Sequence, residues 1–230
     1  MTRVEPPEAI TAATRALLAS AARLGEADMR APSLLPGWTR GHVLTHVARN
    51  ADGGTRLLTW ARTGVEAREY PSAEARAAEI EDGAGRPAAV LVADVRDSAE
   101  RWAEAYEAMP DGAWERVVEW TSGARHPVAR ATDARLTEVL THHVDLDAGF
   151  GPADWPADYV ARMLPNIVAS YARRDEAPRL RVRATDTGAA HGDGETVVSG
   201  PAPSLLAWLM GRSDGRDLTG AEGVVLPFLY

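Results

Sequence analysis

Apolar residues at Ile10, Ala13, Leu17, Leu18, Ala21 and Leu24 recur at three- and four-residue spacing, so residues 7 to about 28 read as an amphipathic helix. Pro32 and the run Leu35-Pro36-Gly37 end it. Thr39 is the N-cap of a second helix over 40–63, which Gly64 closes. Ser72 caps a third segment; Gly83, Gly85 and Pro87 interrupt it, and its helical pattern resumes to about Ala108, before Pro110. A fourth helix spans about 133–148, capped by Thr132 or Asp133 and stopped by Gly149 and Gly151. Four helices with mostly short links predict a bundle. The stretch 113–129, with Val117, Val118 and Trp120, reads as a strand-like excursion between helices.

The pattern changes near residue 151. A helix over 158–173 precedes Leu180-Arg181-Val182-Arg183, whose alternation predicts a strand with one wet face. Glu195–Ser199 is a second short strand, Pro203–Met210 a short helix and Gly223–Leu226 a last strand. The expectation is an α+β chain: a four-helix-bundle domain over 1–150 and a small α/β domain over 151–230, joined by the Gly- and Pro-rich stretch 149–156.

Composition narrows the chemistry. The chain has 230 residues, enough for a real core in one to two domains. Its 25 Lys and Arg against 33 Asp and Glu give a net charge of −8, which argues against a general nucleic-acid binder and against binding to anionic membranes. No apolar run approaches the roughly 18 residues needed to span a bilayer. The N-terminal stretch lacks a signal-peptide apolar block, so a cytoplasmic protein is expected. There is no cysteine, hence no disulfide, no thiolate metal site and no cysteine nucleophile. Any metal must sit on His, Asp or Glu.

Two of the histidine spacings suit a metal. Glu138 and His142 are four residues apart on the fourth helix, so they share a face; His42 and His46 are likewise four apart on the second. At about 100° per residue, with Val43 at zero, His46 lies near −60°, beside the apolar stripe, and His42 near −100°, on the wet side. His46 is therefore the better inward-pointing ligand. His143 is more central in the fourth helix's apolar stripe, but diverges from Glu138 by about 140°, which favours His142. Two imidazoles and a carboxylate form the three-ligand set of catalytic zinc, with a fourth position open. The same spacing also occurs in helices that bind nothing, and a histidine beside an apolar stripe can be a hydrogen-bonded core residue. Both readings stay open on spacing alone. Asp145, three residues after His142, could orient its ring or simply end the helix. Trp38, Trp60 and Trp102 read as core, His126 and His191 as exposed, and Glu79-Ile80-Glu81-Asp82 as a solvated face.

The run Leu35-Pro36-Gly37-Trp38-Thr39-Arg40-Gly41-His42-Val43-Leu44-Thr45-His46-Val47-Ala48-Arg49-Asn50-Ala51-Asp52-Gly53 resembles the N-terminal signature of mycothiol-dependent maleylpyruvate isomerases, members of the DinB-like four-helix-bundle superfamily of thiol-dependent metalloenzymes. Glu138-Val139-Leu140-Thr141-His142-His143-Val144-Asp145-Leu146 is similar to that family's second metal motif, and Ala207-Trp208-Leu209-Met210-Gly211-Arg212 resembles part of its small sterol-carrier-protein-like C-terminal domain. The resemblance implies zinc on His46, Glu138 and His142, with mycothiol as the thiol cofactor. It implies that a thiolate adds to the conjugated double bond of maleylpyruvate, that rotation follows, and that thiolate loss gives fumarylpyruvate. It also points to Arg76 and Arg216 as cations for a small dicarboxylate substrate, the second contributed by the C-terminal domain, with the site in a cleft between domains. Arginine suits that task because its planar fork binds carboxylate bidentately. Three other readings remain: an S-transferase conjugating the same low-molecular-weight thiol to an electrophile, a thiol-independent zinc hydrolase, and a noncatalytic module whose metal is structural. A stable thioether product, activity without thiol, or unfolding on metal removal would mark each in turn.

Overall fold

The computed structural model describes residues 7–227. The chain divides into two compact units, Met1–Gly149 and Phe150–Tyr230. Among the described residues no helix is long and apolar enough to cross a membrane.

In the first unit, α1 (Pro7–Ala21), α3 (Arg40–Thr63), α5 (Ala88–Glu107) and α6 (Arg130–Asp145) form the bundle. Helix α3 is its axis, packing on α5, α6 and the additional helix α4 (Ala73–Ala84), while α1 closes the far side against α5 and α6. Leu17, Val43, Leu44, Val47, Leu57, Leu58, Leu91, Val95, Val139 and Leu140 make the apolar interior. Thr39 caps α3 by accepting from the His42 amide, and Ser72 caps α4 by accepting from Ala75. The strand-like excursion is a two-stranded antiparallel hairpin, β1 (Val117–Glu119) with β2 (Arg125–Pro127).

Three boundaries differ from the sequence expectation. The first helix does not run to residue 28. It ends at Ala21, and a separate short helix, α2 (Glu26–Arg30), begins after Gly25, whose amide donates to Asp28 Oδ2 at 2.8 Å. That carboxylate holds a new helix start where continuous periodicity suggested none. Helix α6 starts three residues before 133, without a side-chain cap. The amides of Val128 and Ala129 instead donate to the carbonyls of Arg116 and Trp114, and Thr132, inside the first turn, donates its hydroxyl to Ala129. The same helix stops at Asp145 rather than 148. Asp147 turns the chain at φ 51°, and the Arg40 side chain donates to the carbonyls of Leu146 and Asp147 at 2.8 and 3.0 Å. A guanidinium on the last carbonyls suits a helix C-terminus in both hydrogen bonding and dipole.

In the second unit, α7 (Ala157–Tyr171) and α8 (Ala202–Leu209) pack together beside a three-stranded sheet. Its order is β4 (Ala190–His191), β3 (Leu180–Ala184), β5 (Thr196–Gly200), antiparallel on one side of β3 and parallel on the other. Leu180, Val182 and Ala184 face inward while Arg181 and Arg183 face solvent, the alternation expected of a strand with one wet face. No strand forms over Gly223–Leu226. Gly223 sits in a turn at φ 75°, Val225 is 82% exposed, and the pairing in this region is a single bridge between Ser199 and Thr219.

Candidate metal centre

Helices α3 and α6 lie in contact, and their facing sides carry the candidate ligands. His46 projects from α3; Glu138 and His142 project from consecutive turns of α6. Glu138 Oε2 lies 2.8 Å from His46 Nε2 and 3.2 Å from His142 Nε2. The two imidazoles meet edge to face, with ring centroids 4.4 Å apart. One donor atom from each of the three residues lies within 4.8 Å of the others. The donor set fits a divalent cation: two nitrogens and one carboxylate oxygen converge on one point, and the carboxylate already bridges both imidazoles as a cation between them would.

Burial and partners set the electrostatics. Burial, helped by the neighbouring His142, lowers the His46 pKa to about 4, although Glu138 opposes this. Burial would also lower His142, but the carboxylates of Asp145 and Glu138 outweigh it and hold that ring above the usual imidazole value. Burial would raise Glu138; the hydrogen bonds from His142 and His46 instead hold it well below the ordinary carboxylate range.

The surrounding shell is well defined. Asp145, itself buried, places Oδ2 2.8 Å from His142 Nδ1, so it faces the ring nitrogen turned away from Glu138. Arg76, from α4, places Nη2 3.2 Å from His46 Nδ1. Arg135, one turn before Glu138, is buried and donates Nη1 to the Val47 carbonyl and to Asn50 Oδ1, both at 2.9 Å, tying α6 to α3. Trp38, expected in the core, is only half-buried and lies over the rings of His46 and His42, with centroids 5.5 and 6.1 Å away. Its chain position just before the cap of α3 is the sequence signal for that placement. His42 stays outside the cluster: its ring is 2.7 Å from Thr39 Oγ1 on one side and 3.1 Å from Glu81 on the other. His143 turns toward α1 and meets Ser20 Oγ at 2.8 Å. Arg216 belongs to the second unit, is exposed, and pairs with Asp214 at 2.9 Å. His126 and His191, expected exposed, are partly buried on β2 and β4. Ile80 in the acidic run is buried and its carboxylates are not, because that residue faces the bundle.

The close seating of α4 and the loop before it explains how Arg76 reaches α3. Gly41 leaves room for the Ala84 carbonyl, and a Cβ at Gly53 would come within 2.9 Å of Glu69 Cγ. Glu69 in turn accepts from the Thr121 hydroxyl at 2.9 Å, and its carbonyl accepts from Arg56 at 2.6 Å.

Comparison with known proteins agrees with this architecture. A family model described as the mycothiol maleylpyruvate isomerase N-terminal domain matches residues 10–147, and the MDMPI C-terminal domain matches residues 154–226. A crystal structure of the mycothiol-dependent maleylpyruvate isomerase is similar to the chain, with a TM-score of 0.86, 28% identity and 98% of each chain covered. A structure of a histidine-to-alanine mutant of mycothiol-dependent maleylpyruvate isomerase gives 0.85 and 27% over the same coverage. No curated protein sequence matches the chain.

Proposed function

The chain belongs to the mycothiol-dependent maleylpyruvate isomerase family, and from that premise we propose that it is a zinc- and mycothiol-dependent cis–trans isomerase converting maleylpyruvate to fumarylpyruvate. The observation that carries this reading is the convergence of His46, Glu138 and His142 on one point between two helices. These residues would hold zinc through two imidazole nitrogens and a carboxylate oxygen, leaving a net positive centre with a position for an exogenous ligand. Zinc, when bound, supplies a charge that favours an ionised thiol and polarises a carbonyl oxygen. The thiol cofactor supplies the sulfur nucleophile that makes the conjugated bond temporarily rotatable; the chain, having no cysteine, contributes none.

The chain's own groups bind and position. Asp145 places its carboxylate 2.8 Å from His142 Nδ1 and so keeps Nε2 turned toward Glu138. Arg76 brings a guanidinium to the edge of the cluster and is assigned one substrate carboxylate. Arg216 is assigned the other by resemblance; its guanidinium is exposed and pairs with Asp214 at 2.9 Å.

The test is turnover of maleylpyruvate by zinc-loaded protein with mycothiol, with and without a chelator. The reading requires trans product, recovery of free thiol and loss of activity on chelation. A stable thioether would instead favour a transferase, and turnover without thiol a hydrolase.

A further inference from the structure

Tyr70 is a loop residue with 3% exposure; its buried hydroxyl makes no well-formed hydrogen bond, and the one side chain that approaches it as a partner, Arg76, is a donor that leaves the phenol proton without an acceptor. Leaving such a group unsatisfied is unfavourable, and phenylalanine would fill the same space without that cost. The residue is not loosely placed. Gly53 of α3 leaves room for the preceding residue, since a Cβ there would come within 2.9 Å of Glu69 Cγ, and the contacts of Glu69 with Thr121 and Arg56 fix it in place.

What surrounds the hydroxyl is rich in donors. The Arg76 guanidinium stands over the Tyr70 ring, 5.7 Å from its centroid, with one nitrogen directed at His46 Nδ1. Arg135 leaves Nη2 buried without a partner, and it lies within electrostatic reach of both Tyr70 and Glu138. Glu138 is the carboxylate this wall shares with the metal ligands, and both imidazoles already engage it. Burial pushes the phenol pKa well above its usual range, so it remains a protonated donor near neutral pH. A surplus of donors around one committed carboxylate calls for an anionic acceptor.

We propose that the Tyr70 hydroxyl and the Arg76 guanidinium together form the subsite that binds one carboxylate of the substrate. The assignment rests on the dicarboxylate-isomerase reading above. It gives Tyr70 a substrate-binding role that neither its loop position nor its sequence context announces. Arg76, which stands over the Tyr70 ring and reaches His46 Nδ1, would turn from that ring to the substrate carboxylate, so that substrate recognition and release of Arg76 from His46 occur together.

The experiment is calorimetric binding of maleate, a nonreactive dicarboxylate probe, to zinc-loaded wild-type protein and to Tyr70→Phe and Arg76→Ala. Thermal melting and zinc content of the same samples, and turnover of maleylpyruvate, are measured alongside. Tyr70→Phe is expected to weaken maleate about tenfold, raise KM for the dicarboxylate more than it lowers kcat, and leave zinc content and KM for the thiol unchanged. In the double variant the two losses should combine to less than their product, because both groups serve one carboxylate. Unchanged maleate affinity in Tyr70→Phe, with or without a lowered melting temperature, overturns the proposal and leaves Tyr70 a structural residue of the loop. If wild type binds maleate through Tyr70 but does not isomerise maleylpyruvate, the subsite stands and the proposed reaction falls.

Discussion

Arg76 Nη2 lies 3.2 Å from His46 Nδ1, and an arginine nitrogen can only donate. Nδ1 is therefore the acceptor, and the ring proton sits on Nε2, facing Glu138 at 2.8 Å. A metal on Nε2 needs the lone pair that this tautomer lacks, and it would share its surroundings with a guanidinium charge. Arg76 thus opposes cation loading while favouring an anionic substrate. Arg76→Ala is expected to keep or tighten zinc by up to about threefold, yet to raise KM for the dicarboxylate at least about tenfold. Chelator competition reads the first effect and steady-state kinetics the second. Loss of zinc from this variant would contradict the arrangement.

Asp145 and pH are linked through His142. A proton on His142 excludes a metal, and Asp145 with Glu138 holds that ring's pKa above the ordinary 6.5 despite burial. Protons therefore begin to compete with zinc at a higher pH than an ordinary histidine would cause, and affinity falls as pH drops through that raised pKa. His46, lowered to about 4, does not compete for protons near neutrality. Asp145→Asn removes a partner that raises His142, so its acid edge should shift to lower pH. The same change should weaken zinc about 10- to 100-fold at pH near 8, because the ring loses its orienting carboxylate. Zinc titration against a fluorescent chelator between about pH 5.5 and 8.5 measures both; an edge that stays in place would count against the assignment.

How much of this was legible in the chain depends on whether a residue's place is set by helical period or by distant contacts. The four-residue step from Glu138 to His142, and the angle that puts His46 rather than His42 beside the apolar stripe, are properties of single helices, and the structure brings those three side chains together. Asp52 and Gly53, noticed in sequence as part of a longer signature, acquire reasons only in three dimensions. Asp52 pairs with Arg49 at 3.0 Å and Arg101 at 2.7 Å, tying α3 to α5, and Gly53 admits the Tyr70 loop. Tyr70 itself carries no signal in the sequence, since a loop has no period and its placement follows from its neighbour Glu69, which seats on Gly53 of α3 and accepts from Thr121, about fifty residues away. The start of α6 lies earlier than the helical pattern suggests for the same kind of reason: the carbonyls of Arg116 and Trp114 hold Val128 and Ala129 just before the helix, and the first-turn amides of Ala131 and Thr132 donate to the carbonyls of Val128 and Ala129 rather than to a side-chain cap.

The glycine seats make a stability prediction. A Cβ at Gly41 would collide with the Ala84 carbonyl, and one at Gly53 would lie 3.2 Å from the Glu69 carbonyl. Gly41→Ala meets backbone that cannot move aside without shifting α4, so it is expected to cost about 1–3 kcal/mol. Gly53→Ala should cost less and chiefly displace the Tyr70 loop, weakening dicarboxylate binding while zinc is retained. Denaturant melts and maleate calorimetry separate the two. Equal stability of Gly41→Ala and wild type would mean that α4 does not sit tightly on α3.

Zinc content per chain, measured by elemental mass spectrometry on wild type, His46→Ala and His142→Ala with circular dichroism of the same samples, bears most directly on the shared metal. A three-residue centre predicts about one zinc in wild type and well under half of that in each variant, with helical content nearly intact. Full zinc retention in both variants would contradict it.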